Sequence, residues 1–273
     1  MRSKGKSRAP ILYLVRQDPG TRCFEATWED TSCDKRNLVV ITHGWYEWRP
    51  WPALLALAIH GRVDATEWQC GWYDWRRKAR RLFPSDAAEA ARDEAGPLLG
   101  HTLLRLSREW RHIHLIGHSA GAWVVNEAAR TMAKQTSATM HLTFLDSYVP
   151  KRWDPEALGA IARPPYDVCW TDHYFTRDRI GHLTENVLAH AHNVDITDVN
   201  PGFNGHHFPW HWYYATVLGR YDTGKKLANQ RVVCEVAGVP YGFLRGLEAG
   251  ADHWELSVTL PPGGPPVRMA TGR

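Results

Sequence analysis

The chain of 273 residues holds no stretch of about 18 uncharged apolar residues, so nothing in it reads as a membrane span. Cysteine is scarce: five residues, an odd number, none in C-x-x-C spacing. That excludes a disulfide-built scaffold and a structural zinc site, and leaves Cys23 and Cys33 as a pair that export would allow to bridge. Excess charge is scarce too. The 33 Lys and Arg against 29 Asp and Glu leave +4, which gives no case for a nucleic-acid partner. One run departs from this balance: Arg76-Arg77-Lys78-Ala79-Arg80-Arg81, either a solvated face or a weak attractor of anionic surfaces. The 15 histidines include Asp172-His173, His190 and His192, but no H-E-x-x-H or comparable spacing, so neither a metal nor another cofactor is expected. No internal repeat is visible.

The first residues are basic and precede a short apolar run, Ile11 to Val15, which ends at once in Arg16-Gln17-Asp18-Pro19-Gly20 without a small-residue cleavage site. We read it as the first strand. Lack of a recognisable signal peptide favours the cytoplasm; a leader removed upstream would make the protein secreted.

What is present alternates. Strands are expected at Ile11–Val15, Phe24–Trp28, Leu38–Thr42, Trp68–Asp74, Ile113–Ile116, Leu142–Leu145, Val168–Phe175 and His192–Ile196. Several are solid runs of aliphatic residues, as in parallel strands buried on both faces. Helices are expected at Trp51–His60, Ala120–Lys134 and Trp210–Leu218. A further one at Ser85–Trp110 has Ser85 as N-cap and a kink at Gly96-Pro97. Strand and helix in turn imply an α/β fold, a mostly parallel sheet flanked by helices on both faces. The texture changes near Thr223. Residues 1–222 are expected to form one domain and 223–273 a small β-rich appendage, with strands at Arg231–Ala237 and Trp254–Leu260 and a loose tail over the last thirteen residues.

Within this frame lies HLIGHSAGAW, residues 114 to 123. A strand runs into Gly117-His118-Ser119-Ala120-Gly121 and then into a helix, the setting of a nucleophile elbow. Glycines two residues either side allow a turn too tight for side chains, which pushes the Ser119 hydroxyl out of the sheet. The next helix aims its first amides at the same spot. The amide of Ala120 is one expected oxyanion donor. The other is the amide of Trp45, in the loop His43-Gly44-Trp45 after the Leu38–Thr42 strand. A serine needs a base, and the base an acid. Downstream stand Asp146, Asp195 and Asp198, then His206, His207 and His211.

In order, LVVITHGW, CGWYDWRR, HIHLIGHSAGAWVVNEAAR, TFLDSYVP and HHFPWHWYY resemble the pancreatic-type lipases, a branch of the α/β-hydrolases, over residues 11 to 218. The resemblance implies an α/β-hydrolase fold with a Ser-Asp-His triad. In that branch the acid ends the strand after the elbow, which implies Asp146; the general hydrolase pattern places it a strand later, at Asp195. The family's histidine precedes a tyrosine pair by six and seven residues, which implies His207 ahead of Tyr213-Tyr214, with His206 and His211 as alternatives. The chain departs from the branch at Asp198–His206, too short for a helical lid, and in having no room for a large C-terminal sandwich. The expected activity is therefore hydrolysis of short- to medium-chain carboxylic esters rather than interfacial lipolysis. A lipase, phospholipase or thioesterase, and a non-catalytic binding protein on the same scaffold, are the alternatives. The expected partner is a small-molecule or lipid ester, with weak attraction to anionic surfaces through Arg76, Arg77, Lys78, Arg80 and Arg81. Trp45, Trp48, Trp51, Trp210 and Trp212 either wall an acyl pocket or pack as ordinary core and rim.

Overall fold

The computed structural model describes residues 10–16, 24–26, 33–162, 169–177, 184–185, 187–200, 204–227, 230–235, 242–243, 257–259 and 269–270. Its main sheet is built from β1 (Ile11–Leu14), β2 (Phe24–Ala26), β3 (Asn37–Thr42), β4 (Trp68–Asp74), β5 (His112–His118), β6 (Thr139–Leu145), β7 (Cys169–Phe175), β8 (His192–Asp195) and β11 (Ser257–Thr259). Between β8 and β11 come β9 (Arg220–Leu227) and β10 (Gln230–Glu235); with β12 (Met269–Ala270) they make a separate three-stranded sheet. The main order is β11-β8-β7-β6-β5-β3-β4-β1-β2. From β11 to β4 every pairing is parallel; β1 and β2 join antiparallel at one edge. This is an α/β-hydrolase fold.

Alternation along the strands builds two cores, because successive side chains point to opposite faces. Leu38, Val40, Ile113, Leu115, Leu142 and Phe144 pack under α3 (Pro84–Ala90), α4 (Gly96–Leu106) and α5 (Gly121–Ala133). On the other face Val39, Ile41, Ile116, Leu145 and Val194 meet α1 (Trp51–His60) and α6 (Phe208–Leu218). Between β4 and α3 lies one short turn of helix, α2 (Arg76–Ala79).

Four expectations change. The helix foreseen from Ser85 begins one residue earlier, at Pro84, whose fixed φ suits a first helical position, and no side chain caps it. Its kink is a π turn over Ala91–Ala95, immediately before Gly96-Pro97, where a proline without an N–H leaves the regular ladder one bond short. Past residue 223, β11 extends the main sheet beside β8 rather than standing apart. Within the tail expected to be loose, Met269–Ala270 pairs with β10. Cys33 is a free thiol, as are Cys70 and Cys169; Cys23 lies outside the described residues, as do Trp28, Val168 and Trp254.

Candidate functional site

Every parallel strand ends at the same edge, so the loops after β3, β5, β6 and β8 converge there. Sequence alone places Ser119 directly after β5. The structure adds that its backbone is left-handed, with φ 55°. Among the described residues only Tyr46 (54°), Ser119 and Asp146 (49°) are non-glycine residues with positive φ, and each sits in one of these loops. Such conformations cost on the order of 1–3 kcal/mol each and persist where the surroundings over-determine them. Here the Ser119 amide donates to the Leu145 carbonyl at 3.0 Å, and the Asp146 amide to the Tyr174 carbonyl at 2.8 Å, locking elbow to β6 and β6 to β7.

The flanking glycines are required by distance. A Cβ on Gly117 would lie 2.4 Å from the Gly121 carbonyl oxygen, and one on Gly121 would lie 2.5 Å from that of His43. A Cβ on Gly44 would lie 2.6 Å from Ser119 Cβ, so the loop after β3 rests its bare backbone against the serine. Gly117→Ala, whose methyl meets rigid backbone, is expected to lower the unfolding free energy by at least about 2 kcal/mol, read as a drop of several degrees in the melting temperature.

The loop His43-Gly44-Trp45 is fixed from the end of β4. Trp75, fully buried, donates its indole N–H to the His43 carbonyl at 2.8 Å. The Ala120 amide follows Ser119 directly and the Trp45 amide follows Gly44, which packs on the serine; neither is spent on a backbone carbonyl among the described residues.

Of the candidate acids, Asp146 is wholly buried and faces the elbow. Its Oδ1 accepts the Thr176 amide at 2.9 Å, and its Oδ2 lies 2.7 Å from Nδ1 of His206. Asp195 is occupied elsewhere: it binds Arg177 at 2.7 Å and the amide and hydroxyl of Thr197.

The structure brings His206, not His207, to Asp146. A short 3-10 turn, Gly205–His207, precedes α6, and its two histidines diverge. His206 points inward, its side chain about one-third exposed. His207 turns to Arg49, whose guanidinium donates to its Nδ1 at 2.9 Å. The family-like spacing to Tyr213-Tyr214 thus misses by one residue, because the 3-10 turn rotates each successive side chain by about a third of a circle. His211 is buried on α6 and stacks on Trp210, 3.5 Å between ring centres.

Two residues were not singled out from sequence. His118, the residue before the serine, donates its Nε2–H to the His206 carbonyl at 2.7 Å, and its ring lies 4.7 Å from that of His206. Burial holds its basicity far below the ordinary histidine value, so it stays a neutral donor. Arg49 is the other. A histidine at an alternate position of an otherwise aliphatic strand was the signal for His118; nothing local marks Arg49. The expected tryptophan crowd divides: Trp51, Trp210 and Trp212 are buried, with Trp51 stacked on Trp210 and edge-on to His118, whereas Trp45 and Trp48 are exposed. Asp172 and His173, neighbours on β7, point to opposite faces, one to His141 and the other to Ser147.

No family model matches the chain, and no curated protein is similar to it. Among solved structures it is similar to a lipase-esterase related protein from Clostridium acetobutylicum ATCC 824. The two are 10% identical with a TM-score of 0.35, over 68% of this chain and 92% of that one.

Proposed function

We propose that the chain is a serine hydrolase of carboxylic esters, acting through Ser119, His206 and Asp146. The observation that carries this is the 2.7 Å Asp146–His206 pair beside a serine held at φ 55° on a strand-to-helix turn. His206 Nε2 takes the hydroxyl proton as Ser119 Oγ attacks the ester carbonyl carbon. Asp146, buried and hydrogen-bonded at both oxygens, fixes the Nδ1–H tautomer and steadies the imidazolium that forms. The amides of Trp45 and Ala120 receive the developing oxyanion, each worth roughly 3 kcal/mol of barrier. The tetrahedral intermediate collapses, the alcohol leaves with the proton from His206, and water then attacks the acyl-serine by the same route. An acid at the end of β6, the strand after the elbow, supports the pancreatic-type branch. The short Asp198–His206 connection supports short- to medium-chain esters.

The test is labelling and turnover together. A fluorophosphonate is expected to attach one equivalent to the wild type and none to Ser119→Ala. In a p-nitrophenyl series, acetyl to octanoyl esters are expected to outpace palmitoyl. A chain that takes no label and turns over no ester is a binding protein on a hydrolase scaffold.

A further inference from the structure

Two loops at the strand edge that carries Ser119 leave large side chains in water. On the loop after β3, Trp48 is 69% exposed and Tyr46 60%; between α2 and α3, Leu82 is 80% exposed and Phe83 58%. The two loops are tied together, because the Trp45 indole N–H donates to the Arg81 carbonyl at 2.9 Å, and the Trp45 and Tyr46 rings meet edge to face at 5.7 Å. Large apolar side chains gathered on one rim mark an interaction surface.

Beside this rim is a cavity of about 260 Å³, lined by Pro10, Ile11, Tyr13, Asp74, Trp75 and the arginines 76, 77 and 80. Its single carboxylate, Asp74, is held by Arg76 and by His43. Burial alone would raise the Asp74 carboxyl, but the hydrogen bonds from His43 and Arg76 outweigh it and keep it ionised below the usual carboxylate range. Glu94 in turn binds Lys78 and Arg81. The cavity lining itself thus carries three arginines against one carboxylate.

We propose that this face docks on an anionic phospholipid surface, the cavity seating a headgroup phosphate while Trp48, Tyr46, Leu82 and Phe83 enter the interface. Arginine suits phosphate through its planar fork, and tryptophan and tyrosine favour the headgroup level, where one end of the ring is wet and the other apolar. The charge and the apolar rim lie on one edge, the edge on which Ser119 opens, so docking turns the mouth toward the bilayer. Binding depends on this surface and not on the chemistry at Ser119.

The experiment uses the full chain carrying Ser119→Ala. Vesicles of phosphatidylcholine with 30% phosphatidylglycerol, and of phosphatidylcholine alone, are compared by cosedimentation in low and in high salt. Binding is expected to the anionic vesicles and to weaken in high salt, as screening requires. The Arg77→Gln/Arg80→Gln pair should weaken it about 25-fold, about fivefold for each charge. The Trp48→Ser/Leu82→Ser pair should weaken it at least tenfold, with the circular dichroism spectrum unchanged. Equal binding to neutral vesicles, no binding to either, or wild-type binding by either pair overturns the proposal. Release by 20 mM inorganic phosphate at constant ionic strength, with the Trp48/Leu82 pair binding like wild type, assigns the cavity to free phosphate and overturns docking. A protein that binds vesicles yet hydrolyses no ester leaves the docking standing and sinks the proposed activity, so the two fail separately.

Discussion

His206→Gln is expected to cut kcat/KM on a p-nitrophenyl ester by about 10⁴ or more, while His207→Gln stays within about tenfold of wild type. The reason is what each ring nitrogen faces. Nδ1–H of His206 donates to a carboxylate, which steadies the positive charge that forms when Nε2 takes a second proton. Nδ1 of His207 faces a guanidinium, which only donates; a proton taken up there would set one cation against another. A second arm uses Asp146→Asn, which keeps the shape but not the charge, against Asp195→Asn. Only the first should follow His206. A large loss in the His207 variant with a small one in the His206 variant would remove the assignment outright.

Acid is expected to unfold this protein well above the pH at which its carboxylates titrate. Burial pulls His173 down from 6.5 to about 4 and His112 down to about 3, the latter helped by the nearby His141. His114 and His118 are pushed well below 6.5, again chiefly by burial. The sign follows from proton counting. Between about 4 and 6.5 the unfolded chain binds a proton at each of these side chains that the folded chain refuses, so stability is full above 6.5 and drains as pH falls. Each contributes on the order of 1.4 kcal/mol per pH unit. Four together rival the whole stability of a typical domain, about 5–15 kcal/mol, within two or three units. Melting temperatures measured from pH 7.5 to 4.5 should fall steeply, and the pH dependence of the urea-unfolding free energy should report uptake approaching four protons. A flat profile would mean these histidines are not held neutral in the folded state.

Three of the four come from one sheet face. His112, His114 and His118 occupy alternate positions of β5 on the side of α1 and α6. His114 stacks on His141 of β6 at 3.7 Å and bonds to Thr143 at 2.8 Å, so polar groups sit where aliphatic ones would otherwise fill the core.

The sequence by itself determined the strands near the site and the turn at Ser119, and narrowed the acid to Asp146 or Asp195. These are local matters: a run of aliphatic residues between punctuating glycines and aspartates has few ways to fold, and a G-x-S-x-G turn between strand and helix has one. Tertiary structure decided that His206, and not His207, faces Asp146. Adjacent residues differ only in which way a single turn of 3-10 helix rotates them, and that rotation is set by α6 packing on α1 and by His118 holding the His206 carbonyl. It also decided that Ser257–Thr259 belongs to the main sheet, because strand pairing over 60 residues of chain leaves no local trace. Arg49 and the apolar rim were equally out of reach. Whether Trp48 or Trp51 faces water depends on what the rest of the fold lays over it, and no neighbour in sequence carries that information.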